Sequence, residues 1–471
     1  MNKKKKLGSN VLFMTAGNFA SKMLSFLLIP MYTAVLSTAE YGIADIMTTT
    51  ITLLAPIFTL QINEAILRFC LDKNSNKEKI LTIGIFIISI GFFIMILMSP
   101  IVFIFPNLKK YYLLFLIYYI SSTLYTILSQ FTKGIEMVKE YAIGGVLDTA
   151  IVIACNIFSL VYLKLGVFGY ITSFIIGNFI VSVYLIIITK AYKKFKLSSL
   201  DIRLMKTMIN YSAPMIPNSI SWWITNSSDK YMVTFFVGTS ANGLYSIAYK
   251  IPSLLSTING IFMSAWNISA VEGFGSRESK KFFSETYLML STLDAIIVSG
   301  LVLFAKPIAR ILYSNDFFVA WKYAIVLILG YMFSSLSSFL GSVYTTSKRT
   351  TALFYTSVIG AFINIVLNII MIPLLGVLGA AIATTFSYIT VWLIRVFHTK
   401  KIYDFDKCIF KNCICGGIIM IQIIAVYMQS IVTLIISIVC FLLIVVINWK
   451  FIIETLKLFK IIILKKCLGE K

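Results

Sequence analysis

An uncharged apolar stretch occupies residues 80–104, which read ILTIGIFIISIGFFIMILMSPIVFI. About 20 such residues in a helix cross the hydrocarbon core of a bilayer. Similar runs, bounded by charges and turn residues, recur along the chain. They lie at 10–34, 42–67, 80–104, 112–132, 142–163, 167–188, 208–235, 241–266, 282–304, 319–341, 350–373, 376–397, 410–428 and 430–449. The sequence therefore predicts an all-α integral membrane protein with about 14 transmembrane helices.

The composition excludes an ordinary soluble protein. Of the 471 residues, 59% are hydrophobic and 13% are charged, whereas soluble domains average about 45–50% and 25%. The only histidine is His398, so the sequence offers almost no material for histidine-based catalysis or metal binding. It also lacks a Gly-x4-Gly-Lys-Ser/Thr phosphate loop, so we do not expect it to hydrolyse ATP. These features favour a transport protein over an enzyme.

The formal net charge of +22 reflects orientation in the membrane rather than binding to nucleic acid. When Lys3 to Lys6 are placed in the cytoplasm, the predicted inner loops and both termini hold 32 of the 41 Lys and Arg residues. Cytoplasmic loops of membrane proteins carry such an excess. The first apolar run is too long for a secretory signal and lacks an Ala-x-Ala site, so we expect it to be retained. Both termini are predicted to be cytoplasmic.

Short matched motifs indicate an internal repeat. Residues 36–42, LSTAEYG, precede predicted span two, and residues 238–243, GTSANG, precede span eight. LGVFG at 165–169 and LGVLG at 375–379 precede spans six and twelve, so the offsets are 201 and 210 residues. Each repeat then contains six spans in the same orientation, as in transporters whose substrate path lies between repeats. We predict an N-terminal six-helix lobe, a basic cytoplasmic linker, a C-terminal six-helix lobe, and two extra helices with a basic tail, at 1–189, 190–207, 208–400 and 401–471.

Polar residues lie at helical spacing on the first two predicted helices of each repeat. A charge at the centre of a helix costs about 2.5–3.5 kcal/mol on insertion scales, so it needs a partner or a hydrated cavity. A cation in a medium of low dielectric attracts a phosphate more strongly than one in water. We predict that these residues line a cavity that receives an anion. The candidates are Lys22, Asn18, Ser25, Arg68, Asp229, Lys230, Lys250 and Trp222.

Structural roles are the alternative for these residues. Asp229 paired with Lys250 or Lys230 would hold spans seven and eight together. Lys22 would extend its ammonium group to an interface, and Arg68 would anchor its helix at the membrane edge. Both interpretations remain open from the sequence.

Two smaller sets of residues also lie inside predicted spans. Acidic side chains there either bind coupling ions or pack between helices. The coupling-ion candidates are Asp148, Asp294 and Glu64.

Prolines inside predicted spans form the second set. A proline removes a backbone hydrogen bond and bends a helix, although prolines are also common in spans that contain no hinge. The hinge candidates are Pro30, Pro214, Pro217 and Pro252.

A further set of motifs extends over both repeats. These motifs are Pro30-x11-Gly42, Glu40-Tyr41-Gly42, Asp229-Lys230-Tyr231, Gly238-x4-Gly243-x-Tyr245-x2-Ala248-x-Lys250, Trp266 and Gly376-x2-Gly379-Ala380-Ala381. In combination they resemble the bacterial polysaccharide-repeat-unit flippases, called Wzx-type, of the multidrug/oligosaccharidyl-lipid/polysaccharide (MOP) exporter superfamily. The resemblance covers essentially the whole chain, including two MATE-like six-helix lobes and two extra C-terminal helices.

This resemblance implies a protein that moves undecaprenyl-diphosphate-linked oligosaccharide by alternating access. The lipid would cross from the inner to the outer leaflet of the bacterial cytoplasmic membrane, for assembly of capsule, O-antigen or another surface glycan. The resemblance also implies that Lys22 and Lys250 receive the diphosphate-sugar head and that Asp229 is a pairing or conformational partner. The implied partners are the polyprenyl-diphosphate oligosaccharide, membrane lipids, polysaccharide polymerase and chain-length proteins, and no nucleic acid. No cofactor is implied, and a proton or sodium gradient or consumption of the product outside would supply the energy.

Three other functions remain open from the sequence. A multidrug or organic-cation antiporter of the same superfamily would favour twelve spans and a carboxylate in the first helix. A lipid II flippase is disfavoured because the first span offers a lysine and no arginine cluster. A membrane polysaccharide polymerase or ligase would carry a large outer loop, and the predicted outer loops are short.

Overall fold

The computed structural model describes residues 23–24, 26–72, 74–97, 109–272, 277–347, 350–400 and 406–467. In these ranges the backbone forms helices with short connections, and it forms no strand. Eleven of the helices are long and apolar enough to cross a membrane. The prediction of an all-α, multi-pass membrane protein is therefore confirmed.

Three predicted spans account for the difference between these eleven helices and the predicted 14. The span at 10–34 lies mostly outside the described residues. The spans at 208–235 and 241–266 are helical but interrupted, and none of their helices is among the eleven. The total of 14 spans stays a prediction.

Contacts divide the chain into two compact units, which are described separately. The first comprises Met1–Gly243 and Ser314–Asp316, and the second comprises Leu244–Tyr313 and Phe317–Lys471. The first long helix of the predicted C-terminal lobe, Ile216–Phe236, thus belongs to the first unit by its contacts. The division into two six-helix lobes rests on the sequence repeat and stays a prediction.

The first unit is built from ten helices within the described residues. They are α1 (Ile29–Val35), α2 (Thr38–Phe58), α3 (Ile62–Cys70), α4 (Lys77–Leu97), α5 (Tyr112–Gly134), α6 (Val138–Asn156, continued by the π-helical turn Ile157–Tyr162), α7 (Gly166–Ile188), α8 (Ala191–Lys194), α9 (Ile202–Ser212) and, after the 3-10 turn Ala213–Met215, α10 (Ile216–Phe236). A buried apolar cluster joins α3, α4, α5, α7 and α9 and includes Ile66, Ile80, Phe131, Val181 and Met208.

Local sequence explains the beginning of α2, and a left-handed backbone turn marks its end. The Ser37 hydroxyl accepts the Glu40 N–H at 3.2 Å and the Glu40 carboxylate accepts the Ser37 N–H at 2.9 Å, which is a capping box. The helix ends where Leu60 adopts a φ of 50°, so the single helix predicted over 42–67 is wrong. The Ser212 hydroxyl donates to the Leu60 carbonyl at 2.8 Å, and this bond satisfies a backbone group that the break leaves without a helical partner.

The predicted linker at 190–207 contains the beginning of α9. The Asp201 carboxylate caps this helix by accepting the Leu204 N–H at 3.0 Å, and it lies 2.9 Å from the ammonium of Lys79 on α4. These two contacts hold the pKa of the Asp201 carboxyl below its usual range. Met208 on the same helix is buried. The end of the linker is therefore folded against the first unit.

The second unit continues the helical architecture. Its helices are α11 (Thr239–Ala248), which crosses the boundary between the units, α12 (Lys250–Glu272), α13 (Arg277–Leu303), α14 (Ala305–Leu312), α15 (Trp321–Thr346), α16 (Thr350–Leu375), α17 (Val377–Thr399), α18 (Asp406–Met428) and α19 (Ile431–Cys467). Helix α15 is largely buried and packs against α12, α13, α16, α17 and α18. Trp266 of α12 stacks on Phe339 of α15 at 4.7 Å and donates to the Ser342 hydroxyl at 2.8 Å.

Each candidate hinge proline lies in the first turn of a helix. Pro30 and Pro217 are the second residues of α1 and α10, Pro252 is the third residue of α12, and Pro214 lies in the 3-10 turn before α10. A proline in a first turn loses no hydrogen bond within its own helix. The interruptions within the predicted spans 208–235 and 241–266 lie at or beside these prolines, which cannot donate to the preceding turn. The hinge role stays a prediction.

Candidate functional site

An ion pair joins α2 and α10 within the first unit. The Lys230 Nζ lies 2.9 Å from the Asp45 Oδ1, and the two side chains are 17% and 12% exposed. Charges that are largely removed from water are tolerated when they are paired. The pair therefore fixes a cation and an anion on two facing helices.

Aromatic side chains hold the same helices together beside the ion pair. The Tyr231 hydroxyl forms a hydrogen bond with the Thr50 hydroxyl, and Trp223 Nε1 donates to the Thr49 carbonyl at 3.0 Å. The rings of Tyr231 and Trp223 meet edge to face, with centroids 5.2 Å apart. Because both rings are anchored to α2, they hold α10 against α2 beside the ion pair.

Asp45 completes this pair, but it is not among the candidates derived from the sequence. It is the eighth residue of α2, and Lys230 is the seventh residue from the end of α10. The two helices run in opposite directions, so these positions lie at equal depth. Matching the depths of opposite charges on oppositely directed spans is the signal that would have predicted the pair.

The two copies of the repeated motif also contact each other in the first unit. A Cβ added to Gly42 would lie 1.9 Å from the Thr239 carbonyl oxygen, and a Cβ added to Gly243 would lie 2.0 Å from the Thr38 carbonyl oxygen. The Asn242 Nδ2 donates to the Gly42 carbonyl at 3.1 Å. The first turns of α2 and α11 thus pack reciprocally, and a residue without a Cβ permits this approach.

The predicted cavity residues are distributed as follows. Three lie outside the described residues, namely Lys22, Asn18 and Ser25. Asp229 is buried beside Lys230 on α10, whereas Trp222 on the same helix is exposed. Lys250 is partly buried as the first residue of α12. The structure therefore places Lys230 in an ion pair, and the cavity roles of the other candidates stay predictions.

Arg68 lies at the end of α3 in a different environment. Its Nη1 is 2.7 Å from the Asp72 Oδ1, and the two side chains are 52% and 54% exposed. This is an ordinary pair at i, i+4 spacing on a helix surface. The contact agrees with the alternative of a membrane-edge anchor, and the cavity role of Arg68 stays a prediction.

The three coupling-ion candidates differ in burial. Glu64 on α3 is partly buried and accepts the Asn63 amide at 3.1 Å. Asp148 on α6 is also partly buried and faces Gly177 of α7. Asp294 on α13 is buried almost completely. Asp294 is thus the candidate most fully removed from solvent.

Comparison with solved structures shows which fold the chain adopts. The chain aligns with the lipid II flippase MurJ in an inward closed conformation with a TM-score of 0.71 and 18% identity, over 94% of this chain and 100% of that one. A MOP-superfamily transporter from Pyrococcus furiosus aligns with a TM-score of 0.59 and 14% identity, over 84% of this chain and 95% of its own. The chain therefore shares the fold of these two proteins, and the prediction of a MATE-like helical fold is confirmed.

Comparison of sequences defines the family. Residues 7–267 match the family described as polysaccharide biosynthesis protein, and residues 214–370 match the MatE family. Since the first match covers more than half of the chain, the chain belongs to the polysaccharide biosynthesis protein family. The narrower assignment to the Wzx type stays a prediction.

Two relatives are similar over part of their length. The probable low-salt glycan biosynthesis flippase Agl15 of Haloferax volcanii is 24% identical over 189 residues, which are 39% of this chain and 39% of that protein. An uncharacterized membrane protein of Methanocaldococcus jannaschii is 24% identical over 231 residues, which are 46% of this chain and 44% of that protein. The chain spans less than half the length of these relatives.

Proposed function

We propose that the protein is a flippase that moves undecaprenyl-diphosphate-linked oligosaccharide repeat units from the inner to the outer leaflet of the bacterial cytoplasmic membrane. The observation that carries this proposal is the largely buried Asp45–Lys230 pair inside a MOP-superfamily fold. The family description and the name of the Agl15 relative support a lipid-linked glycan as the cargo. The product would serve the assembly of capsule, O-antigen or another surface polysaccharide.

The chemistry of the pair suits a diphosphate head group. Two unit charges about 4 Å apart attract by about 4 kcal/mol at an effective dielectric of 20 and by about 1 kcal/mol in bulk water. Lys230 therefore offers a stronger site for phosphate than a lysine in solution. Asp45 neutralises Lys230 when no substrate is bound, and the diphosphate competes with Asp45 for the ammonium when substrate enters.

The remaining parts of the proposal follow from alternating access. Lys22 and Lys250 would add cationic contacts to the head group, and Asp229 would be a conformational partner. Both termini would face the cytoplasm, and the polymerase and chain-length proteins would use the product outside. A proton or sodium gradient, or consumption of the product, would supply the energy.

The test measures lipid-linked oligosaccharide on the two faces of the membrane in cells. Deletion of the gene should leave the lipid in the inner leaflet, and the intact protein should restore its appearance outside. Lys230→Ala should lower this restored transport about tenfold, which corresponds to about 1.4 kcal/mol. The control is Lys281→Ala, because Lys281 pairs with Glu285 at 3.8 Å with both side chains exposed.

Each result of this test has a direct meaning. Normal surface glycan in cells with Lys230→Ala at normal protein level would overturn the role of the pair. Outward movement of the oligosaccharide in cells without the gene would overturn the proposed function. Accumulation of lipid II in place of the oligosaccharide would assign the cargo to peptidoglycan synthesis. Loss of resistance to organic cations with no lipid accumulation would favour the multidrug antiporter.

A further inference from the structure

A carboxyl group lies in the middle of α13 and is shut off from solvent. Asp294 is the eighteenth of the 27 residues of this helix and is 3% exposed. Its Oδ2 has no hydrogen-bond partner among the residues that the structure describes. Its polar neighbours are Asn259 of α12 and Ser335 of α15. Three helices of the second unit therefore converge on this side chain.

The helices around Asp294 carry no charged residue over most of their length. Residues 251–271, 323–346 and 412–449 of α12, α15, α18 and α19 contain no charged residue. The Lys411 ammonium, at the start of α18, donates to the Thr292 hydroxyl at 2.9 Å. The titratable groups within these uncharged segments are Tyr323, Tyr331, Tyr344, Cys413, Cys415, Tyr427 and Cys440, and the short helix α14 carries Lys306 and Arg310. The side chains that act on the Asp294 carboxyl are Ser335 and Asn259.

An ionised carboxylate in this position would be strongly disfavoured. The effective penalty for burying an ion in a protein is several kcal/mol, and a counter-ion or several hydrogen bonds must offset it. Two neutral neighbours and an oxygen without a donor do not supply that compensation. A bound proton removes the charge, so the geometry favours the neutral acid whenever the site is closed.

We propose that Asp294, with Asn259 and Ser335, is the site at which the protein takes up and releases a proton during transport. This inference rests on the proposed function and names the proton as the coupling ion of the flippase. The proton comes from water when the site is open, binds the Asp294 carboxylate and returns to water on the opposite side. The burial of Asp294 distinguishes it from Asp148 and Glu64, which are only partly buried.

The first experiment detects the proton directly. The protein is placed in vesicles of phosphatidylethanolamine and phosphatidylglycerol, and infrared difference spectra are recorded between about pH 5 and about pH 9. A carbonyl band of a protonated carboxylic acid should titrate in the intact protein and in the Asp148→Asn control. It should be absent in Asp294→Asn, and it should move in frequency in Ser335→Ala, which keeps the carboxyl group. A spectrum of Asp294→Asn identical to that of the intact protein would overturn the proposal, as would a band that never changes with pH.

The second experiment measures coupling. Proteoliposomes containing the protein receive a fluorescent polyprenyl-diphosphate disaccharide as probe, with either a proton or a sodium gradient. A proton gradient should raise the flipping rate of the intact protein several-fold and leave Asp294→Asn unchanged. Stimulation by sodium alone would overturn the assignment of the proton. If the intact protein does not move the probe, the proposed function fails, and the infrared result still decides whether Asp294 exchanges a proton.

Discussion

The Lys230 ammonium and the Asp45 carboxylate compensate each other's charge in a place that is largely closed to solvent. Removing one partner of a buried pair costs about 3–5 kcal/mol, because the other charge is then left without compensation. The side chains of this pair retain 17% and 12% exposure, so some solvent screening lowers that cost. In the proposed flippase, a pair of this intermediate strength would let Lys230 exchange the Asp45 carboxylate for a phosphate and back.

A double-mutant cycle tests this interpretation at the scale of the residue. Asp45→Asn and Lys230→Gln should each lower the free energy of unfolding by about 1–3 kcal/mol, and the double variant should lose less than the sum. The measurement is the unfolding transition in detergent micelles. The matched cycle uses Arg68→Gln and Asp72→Asn, whose exposed pair should show no measurable coupling. Equal coupling in the two cycles would contradict a special role for the buried pair.

The first two turns of α2 hold both its capping box and the glycine that α11 approaches. Its capping box fixes where the helix begins, and Gly42, in the second turn, allows α11 to approach until the Thr239 carbonyl occupies the space of a side chain. Asp45 follows Gly42 by three residues, so it lies about one turn further along the same helix. The position of α2 relative to the repeated motif therefore also sets the position of the carboxylate that holds Lys230.

Replacement of the motif glycines tests the contact between α2 and α11. Gly42→Ala or Gly243→Ala places a Cβ about 2 Å from a carbonyl oxygen, so the two helices must separate. We expect a loss of roughly 1–3 kcal/mol in the free energy of unfolding, as in other overpacked contacts. The control is Gly145→Ala on α6, whose added Cβ meets nothing within 4 Å; there alanine should be neutral or stabilising by up to about 1 kcal/mol. Equal stability of all three variants would contradict the packing argument.

Across the whole molecule, apolar length predicts the helices well and predicts their interruptions poorly. The span predicted at 350–373 is α16, Thr350–Leu375, because bilayer thickness and flanking polar residues determine both ends. The break after α2 depends on a positive φ at Leu60, and no glycine marks it in the sequence. The partner of Lys230 was also missed, since the sequence does not state which helices face each other. Tertiary contacts determine both features.

The orientation of the molecule in the membrane is the remaining prediction from the distribution of charge. Lys110, before α5, should face outward, and Ser198, before α9, should face the cytoplasm; both residues are exposed. In a protein whose native cysteines are replaced, Lys110→Cys should react with a membrane-impermeant maleimide in intact cells. Ser198→Cys should react only after the cells are opened, because a bilayer lies between it and the reagent.

A third cysteine tests whether the last two helices both cross the membrane. Ser430→Cys, exposed between α18 and α19, should then react in intact cells, as Lys110→Cys does. Labelling of Ser198→Cys in intact cells would contradict the charge argument, and protection of Ser430→Cys alone would show that the C-terminal pair does not span the membrane.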